Sequence, residues 1–137
     1  RMMCSPGISK GVIQDYKQAF NWLTLAAEQG DASAQHYLGN LYFNGKCVIQ
    51  DYKQAAKWYT LAAEQGDASA QFSLGLMYSS GQGVIQDYVI SHMWANIAAA
   101  SNDGLPNLRE IVVKKMTPQQ IEKAQQKARE WVAKHNK

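Results

Sequence analysis

The sequence has few cysteines, few charged residues and no long apolar run. Its two cysteines, Cys4 and Cys47, do not form a Cys-x-x-Cys pair, so we expect free thiols rather than a disulfide framework. No stretch approaches the roughly 18 consecutive apolar residues of a membrane span, and the first residues lack the basic and apolar segments of a secretory signal. These absences leave a cytoplasmic, periplasmic or secreted location open. Apolar residues nevertheless make up 46% of the 137 residues, which is enough for a folded domain.

The motifs of common catalytic and metal sites are also missing. The sequence contains no Ser-His-Asp set and no H-E-x-x-H motif. The Gly-x-Gly at 81–83 lacks the preceding strand and the third glycine of a nucleotide-binding loop. The histidines His36, His92 and His135 do not lie at metal-ligand spacing, and we interpret them as structural. The sequence therefore predicts no catalytic residue, no metal site, no cofactor and no enzymatic activity.

Charge is distributed unevenly along the chain. Residues 1–108 carry 6 Lys and Arg against 8 Asp and Glu, whereas residues 109–137 carry 8 against 3. The formal net charge of +3 is too small to predict a nucleic-acid partner by itself. We interpret the basic C-terminal segment as a solvated helix face, with an acidic partner or a nucleic acid as the alternative.

A 24-residue segment occurs twice with an offset of 36 residues, at 12–35 and 48–71. The two copies differ at three positions, Phe20/Ala56, Asn21/Lys57 and Leu23/Tyr59. A third copy starts at Val84 with VIQDY, and the segment 31–48 likewise matches 67–84. A repeat of this period predicts an array of stacked supersecondary units.

Each 36-residue unit contains two helical patterns, and no segment shows the period-two pattern of a strand. Asp31 is positioned to cap a first helix that ends at Gly45, because a short carboxylate accepts hydrogen bonds from free amides of the first turn. The second helix opens at Asp51. Since Asp15, Asp51 and Asp87 recur at the repeat offset, we expect helix caps rather than an acid-base pair.

Tryptophan and glycine recur at the same offset. We expect Trp22, Trp58 and Trp94 to pack in the core, with stacking on a ligand as the alternative. Gly39 and Gly75 lie in the middle of the first helix of each pair, where glycine costs about 1 kcal/mol relative to alanine. Because this loss of helix stability occurs in both repeats, we expect packing to compensate for it. We expect a neighbouring helix to approach closely at these glycines, with an aromatic ring beside them.

The repeat unit reads A-x-A-Q-x-x-L-G-x-x-Y-x-x-G-x-G-V-x-x-D-Y-x-x-A-x-x-W-x-x-x-A-A-E-Q-G. It resembles the Sel1-like repeat, a relative of the tetratricopeptide repeat, and the match covers about residues 5–104. The resemblance implies an all-α fold, an α-α superhelix in which antiparallel helix pairs stack into a right-handed solenoid. It also implies a role in assembling or presenting other proteins.

We expect one Sel1-like repeat domain with its N-terminal end uncovered. The predicted divisions of the domain 1–137 are a partial repeat 1–30, repeats 31–66 and 67–102, and capping helices 103–137. Cys47 departs from the family pattern because it replaces the second glycine of the Gly-x-Gly turn. Pro6 and Ser9 occupy positions held two repeats later by tyrosine and glycine, so the first repeat keeps only its second helix, 15–29. This uncovered helix favours self-association or a longer parent protein.

The C-terminal segment predicts two further helices. The first spans 106–115 and has proline in its first turn. Thr117 and Gln120 then form the pattern of a capping box before a longer helix. The apolar stripe of that helix consists of Ile121, Ala124, Ala128, Trp131 and Val132. The segment 116–131 is similar to the capping helix of bacterial members of the family, so we expect a bacterial protein whose C-terminal end is covered.

The positions that differ between the matching first helices include Tyr37/Ser73, Asn40/Leu76, Phe43/Ser79 and Asn44/Ser80. Three of these pairs, together with the unchanged pair Ser33/Ser69, lie at i, i+4, i+7 and i+11 on a single helix face. Positions that differ are released from the packing constraint, and we predict that this face binds a protein or peptide partner on the concave side of the solenoid. A plain solvated surface is the alternative. The predicted partner-binding residues are Ser33, Tyr37, Asn40, Asn44, Ser69, Ser73, Leu76 and Ser80.

A protein-interaction scaffold or adaptor is the function that these observations predict. Two alternatives remain open at this point. A hydrolase of a Sel1-repeat branch would need titratable groups converging in a pocket, and a spacer fragment of a larger repeat protein would bind nothing.

Overall fold

The computed structural model describes residues 10–101 and 107–135, with side chains from residue 17 onward. These residues form seven helices and no strand. In chain order the helices are α1 (Lys10–Glu28), α2 (Ala32–Asn44), α3 (Tyr52–Glu64), α4 (Ala68–Ser80), α5 (Tyr88–Ser101), α6 (Leu108–Val113) and α7 (Pro118–His135). Helix α2 packs on α3 and α4 on α5, and each pair packs on its neighbours, which confirms the all-α repeat solenoid. No helix in these described ranges has the length and apolar character needed to cross a membrane.

Aspartate caps begin four of the helices. The side chain of Asp31 accepts a hydrogen bond from the Ala34 amide at 2.9 Å, and Asp51 accepts one from the Gln54 amide at 3.1 Å. Asp67 and Asp87 make the same bond at the starts of α4 and α5. The prediction of a cap at Asp15 is wrong, because α1 already begins at Lys10 and Asp15 lies inside it.

The turns within the two helix pairs use backbone with positive φ. Gly45 and Gly81 end α2 and α4 in the left-handed conformation, with φ of 69° and 77°. Two residues later, Cys47 adopts a φ of 67° and Gly83 a φ of 73°. Cys47 is disulfide-bonded, so the prediction of a free thiol is wrong at this position. Cys4, Pro6 and Ser9 lie outside the described residues.

The core follows the repeat, except at its N-terminal end. Trp58 is buried with Ala27, Leu38 and Leu41, which belong to the two helices before it. Trp94 is buried in a second cluster, where its ring meets that of Trp131 edge to face at 5.8 Å. Trp22, in contrast, is 71% exposed, so the prediction of core packing is wrong for it. Among the described residues, no helix pair precedes α1 to bury this ring as α1 and α2 bury Trp58.

Glycine in the middle of α2 and α4 permits close packing, as the sequence predicts. A Cβ atom at Gly39 would lie 2.7 Å from Cδ1 of the Tyr59 ring. At Gly75 it would lie 3.0 Å from Cδ2 of Leu108 and 3.2 Å from the carbonyl oxygen of Ser91. The aromatic ring expected beside these glycines is therefore present in one repeat, whereas an aliphatic side chain and the α5 backbone take its place in the other.

The C-terminal helices cover the last repeat. The predicted capping box is present, since Gln120 Oε1 accepts from the Thr117 amide at 2.9 Å and Thr117 Oγ1 accepts from the Gln120 amide at 3.2 Å. Ala124 and Ala128 of α7 are buried, while Trp131 and Val132 are partly buried against the core of the repeats. Helix α6 is shorter than the predicted span 106–115, and its predicted first-turn proline, Pro106, lies outside the described residues.

Candidate protein-interaction surface

The eight predicted partner-binding residues lie on α2 and α4, the first helices of the two complete pairs. We call this surface the stripe: Ser33, Tyr37, Asn40 and Asn44 on α2, and Ser69, Ser73, Leu76 and Ser80 on α4. Tyr37 is 39% exposed and Leu76 is 42% exposed. Ser33, Asn44 and Ser80 are also exposed, whereas Asn40, Ser69 and Ser73 are partly buried.

Tyr59 of α3 links the two halves of the stripe. Its hydroxyl donates a hydrogen bond to Asn40 Oδ1 at 2.5 Å, and its side chain is also hydrogen-bonded to Ser73. Burial raises the pKa of Tyr59 to about 12, and the hydrogen bond with Ser73 opposes that rise. The phenol therefore remains protonated at neutral pH and keeps its donor for Asn40. A single buried side chain thus connects a stripe residue of α2 with one of α4.

Aromatic rings of α2 and α3 pack against one another beside the α2 half of the stripe. The ring of His36 lies 6.0 Å from that of Tyr59, measured between centroids, and the ring of Phe43 lies 6.5 Å from it. Phe43 also contacts the Tyr52 ring at 5.0 Å. Pairs at these separations favour fixed relative orientations. The His36 ring thus packs against an aromatic neighbour, which fits the structural role that the sequence predicts for it.

Neither helix of the stripe carries a formal charge. The segments Ala32–Asn44 and Ala68–Ser80 contain no Lys, Arg, Asp or Glu. Tyr37 and Leu76 instead present apolar area beside amide and hydroxyl groups. This composition suits an uncharged partner, because a charged partner would lose water without gaining an opposite charge.

The role of Tyr59 in the stripe was missed because the helical periodicity of α3 places it in the core. A signal for it exists in the sequence. Tyr59 occupies one of the three positions that differ between the near-identical copies, and the equivalent residue of the other copy is Leu23. The rule that selected the stripe therefore also selects Tyr59 when it is applied to the second helix of each pair.

Within the described ranges 10–101 and 107–135, no group of three or more His, Cys, Asp or Glu side chains could hold a metal ion. His92 bonds to Asn96, and His135 stacks on Trp131 with ring centroids 3.8 Å apart.

Comparison with known proteins identifies the repeat. The family model of the Sel1 repeat matches residues 2–31, 32–67 and 68–103. The chain belongs to the Sel1 repeat family. Sel1 repeats commonly serve as protein-interaction modules, and this chain has the fold of a Sel1 repeat scaffold.

Two solved bacterial structures are similar to the chain. One is a protective antigen of uropathogenic Escherichia coli with an SLR fold, at 37% identity and a TM-score of 0.83, covering 88% of this chain and 26% of that chain. The other is a Sel1 repeat protein from Oxalobacter formigenes, at 35% identity and a TM-score of 0.63, covering 69% of this chain and 40% of that chain. The chain thus spans less than half the length of either Sel1 protein. Among curated proteins, none matches it significantly.

Proposed function

We propose that this chain is a non-enzymatic Sel1 scaffold that binds an uncharged peptide or protein segment along the stripe. The observation that carries the proposal is the contrast within each repeat. Between the two first helices, buried Ala34, Gln35, Leu38 and Gly39 recur as Ala70, Gln71, Leu74 and Gly75, and buried Leu41 changes only to buried Met77. Three stripe positions change their chemical character, namely Tyr37/Ser73, Asn40/Leu76 and Asn44/Ser80. The changes along the stripe give each repeat a different contact for a partner that crosses both, as expected for the concave side of a solenoid.

Tyr37 and Leu76 are the anchors of the proposed contact. Both are large exposed side chains, and they occupy non-equivalent positions of the repeat. A partner that crosses both repeats therefore contacts Tyr37 on α2 and Leu76 on α4. Tyrosine is enriched at protein interfaces because its ring is apolar and its hydroxyl is polar. The bridge from Tyr59 to Asn40 and Ser73 fixes the polar groups between the two anchors before binding, which lowers the entropic cost of association.

The proposal is tested with the double variant Tyr37→Glu/Leu76→Glu. Binding an uncharged partner would bury the two new carboxylates without an opposite charge, which costs free energy. We therefore expect the partner to be lost, with the affinity reduced by about 100-fold or more. The measurement is affinity capture from cells of the source organism, followed by titration of the captured protein. Thermal unfolding of the variant should match the wild type, because both positions are exposed.

The matched control is Ile49→Glu/Ile85→Glu. These isoleucines lie in the turns before α3 and α5, at equivalent repeat positions, and are 91% and 90% exposed. The control introduces the same two charges in place of apolar side chains away from the stripe. A partner lost in both double variants, or retained in both, contradicts binding on the stripe.

We also propose self-association through α1, within the single repeat domain 1–137. Trp22 and Leu25 are exposed large apolar side chains on this helix. The tryptophan at the equivalent position of the next repeat, Trp58, is buried by two neighbouring helices. Trp22 therefore offers to a second copy the kind of surface that each repeat elsewhere offers to its neighbour.

A further inference from the structure

A cavity of about 350 Å³ lies between the C-terminal ends of α3, α5 and α7. Ile97, Ala100 and Val132 supply apolar wall, and Gln71 and Ser101 supply polar wall. The residues that line the cavity include none of the eight residues of the stripe. A ligand of this cavity would therefore be distinct from the proposed partner of the stripe.

Gln71 is a buried side chain with one unused hydrogen-bonding atom. It is 1% exposed, and its Nε2 donates to the carbonyl oxygen of Ala63 at 3.0 Å. Its Oε1 is buried and has no hydrogen-bond partner. Because a buried acceptor without a donor is costly and uncommon in folded proteins, Gln71 Oε1 indicates a donor that is supplied from outside the chain.

The preceding repeat shows which donor fits this position. Gln35 lies 36 residues before Gln71, and its Nε2 donates to the Ala27 carbonyl at the same distance of 3.0 Å. Its Oε1, however, accepts a hydrogen bond from Gln65 Nε2 at 2.8 Å. The residue 36 positions after Gln65 is Ser101, whose hydroxyl bonds to Ala98 instead. At this position the last repeat thus has a hydroxyl group instead of the carboxamide of Gln65.

We propose that this cavity binds the side-chain carboxamide of a glutamine or asparagine residue of a peptide. One N–H of that carboxamide donates to Gln71 Oε1 and takes the role that Gln65 has toward Gln35. The aliphatic stem of the ligand lies against Ile97 and Val132. A neutral donor is favoured over an ammonium group at Gln71 Oε1, because Gln71 is uncharged and the carboxylate that lines the cavity, Glu64, is 50% exposed and already contacts Trp131 and His135.

Glu64, Trp131 and His135 form a further wall of the cavity. Glu64 accepts a hydrogen bond from Trp131 Nε1 at 2.8 Å and lies 3.4 Å from His135 Nε2. The His135 ring stacks on Trp131. Both contacts are made by Oε1 of Glu64, whose side chain is 50% exposed, whereas Gln71 is 1% exposed. The buried, unpartnered oxygen of Gln71 is therefore the acceptor that selects the ligand.

The experiment compares two small probes by ¹⁵N-resolved NMR titration. The first is N-acetylglutamine methylamide, and the second is its γ-methyl ester analogue, which has a similar shape but no side-chain N–H. We expect the glutamine probe to shift the resonances of the Gln71 side-chain amide and the Trp131 indole. We expect the affinity of the ester to be lower by a factor of about ten or more. Equal binding of the ester, or tighter binding of N-acetyllysine methylamide, overturns the proposal.

Ser101→Gln supplies the missing carboxamide from the chain itself. We expect this variant to lose probe binding and to unfold at a higher temperature, while the control Ser101→Ala keeps binding. Unchanged probe binding in Ser101→Gln contradicts the assignment. A crystal structure in which an ordered water alone occupies Gln71 Oε1 in the presence of the probe contradicts it equally.

Discussion

At the residue scale, Tyr59 shows how one difference between matching repeats changes the surface above it. The equivalent positions hold Leu23 in the first repeat and Ala95 in the third, neither of which has a hydroxyl group. Only the second repeat can therefore bridge Asn40 and Ser73. The repeats share a backbone but differ in how their exposed polar groups are fixed.

His92 is the buried titratable residue of α5 for which a pH dependence follows. It lies within hydrogen-bonding distance of Asn96, with 3.2 Å between Nδ1 and Nδ2, and Asn96 accepts from Arg109 at 2.9 Å. Burial, and then the charge of Arg109, lower the pKa of His92 below its ordinary value of 6.5. The folded protein therefore binds this proton less readily than the unfolded chain does.

We predict that stability falls as the pH drops below 6.5, the ordinary pKa of histidine. Above that pH, the neutral His92 ring contributes fully to the free energy of unfolding. This contribution is lost as the pH falls toward the lowered pKa of His92 in the folded state. Urea denaturation at about pH 7.5 and about pH 5.5 measures the difference. His92→Gln should show a smaller difference between the two conditions, and an unchanged difference would rule out His92 as its source.

At the element scale, the starts of the helices were predictable where a cap acts locally. Asp31 and Asp51 bond to amides three residues ahead, so the sequence pattern alone identifies them. Asp15 has the same neighbours in sequence, yet α1 extends five residues before it. A cap pattern permits a helix to start but does not forbid upstream residues from joining it, which is why this prediction failed.

Asp51→Ala and Asp15→Ala form a matched pair that separates these two situations. Loss of the Asp51 cap should lower the free energy of unfolding by about 1 kcal/mol, because the Gln54 amide loses its acceptor. Asp15→Ala should lower it less, since an interior helix position gains from the propensity of alanine. Equilibrium urea denaturation of both variants decides the question. Equal losses would indicate that Asp51 stabilises the fold by something other than capping.

At the scale of the whole molecule, the repeat made the fold predictable, but contacts between repeats were less so. Helix periodicity predicted the exposure of five of the eight stripe residues, because exposure on a helix face follows from spacing. Asn40, Ser69 and Ser73 are partly buried, and binding along the stripe stays a prediction. The unpaired oxygen of Gln71 depends on Ser101, 30 residues away, and becomes visible only when the two repeats are compared atom by atom. Burial of Trp22 failed as a prediction because a residue in the first repeat shares its sequence context with Trp58 but not its neighbouring helices.

Self-association through α1 gives a prediction at this scale. Light scattering of the wild type should show an average mass that rises with protein concentration, and Trp22→Ala should reduce that rise. The substitution should leave the free energy of unfolding within about 0.5 kcal/mol, because the ring is 71% exposed. A constant monomer mass for the wild type, or an equal rise in the variant, would argue against α1 as the contact.

The exposure of Trp22 also gives this protein a spectroscopic label. Of its four tryptophans, Trp58 and Trp94 are shielded and Trp131 is partly covered, so Trp22 is the indole that water and a dissolved quencher such as iodide reach most readily. The red edge of the intrinsic fluorescence therefore originates mainly from one end of the solenoid. Occupancy of that end can be followed by emission wavelength and quenching, without attaching a dye.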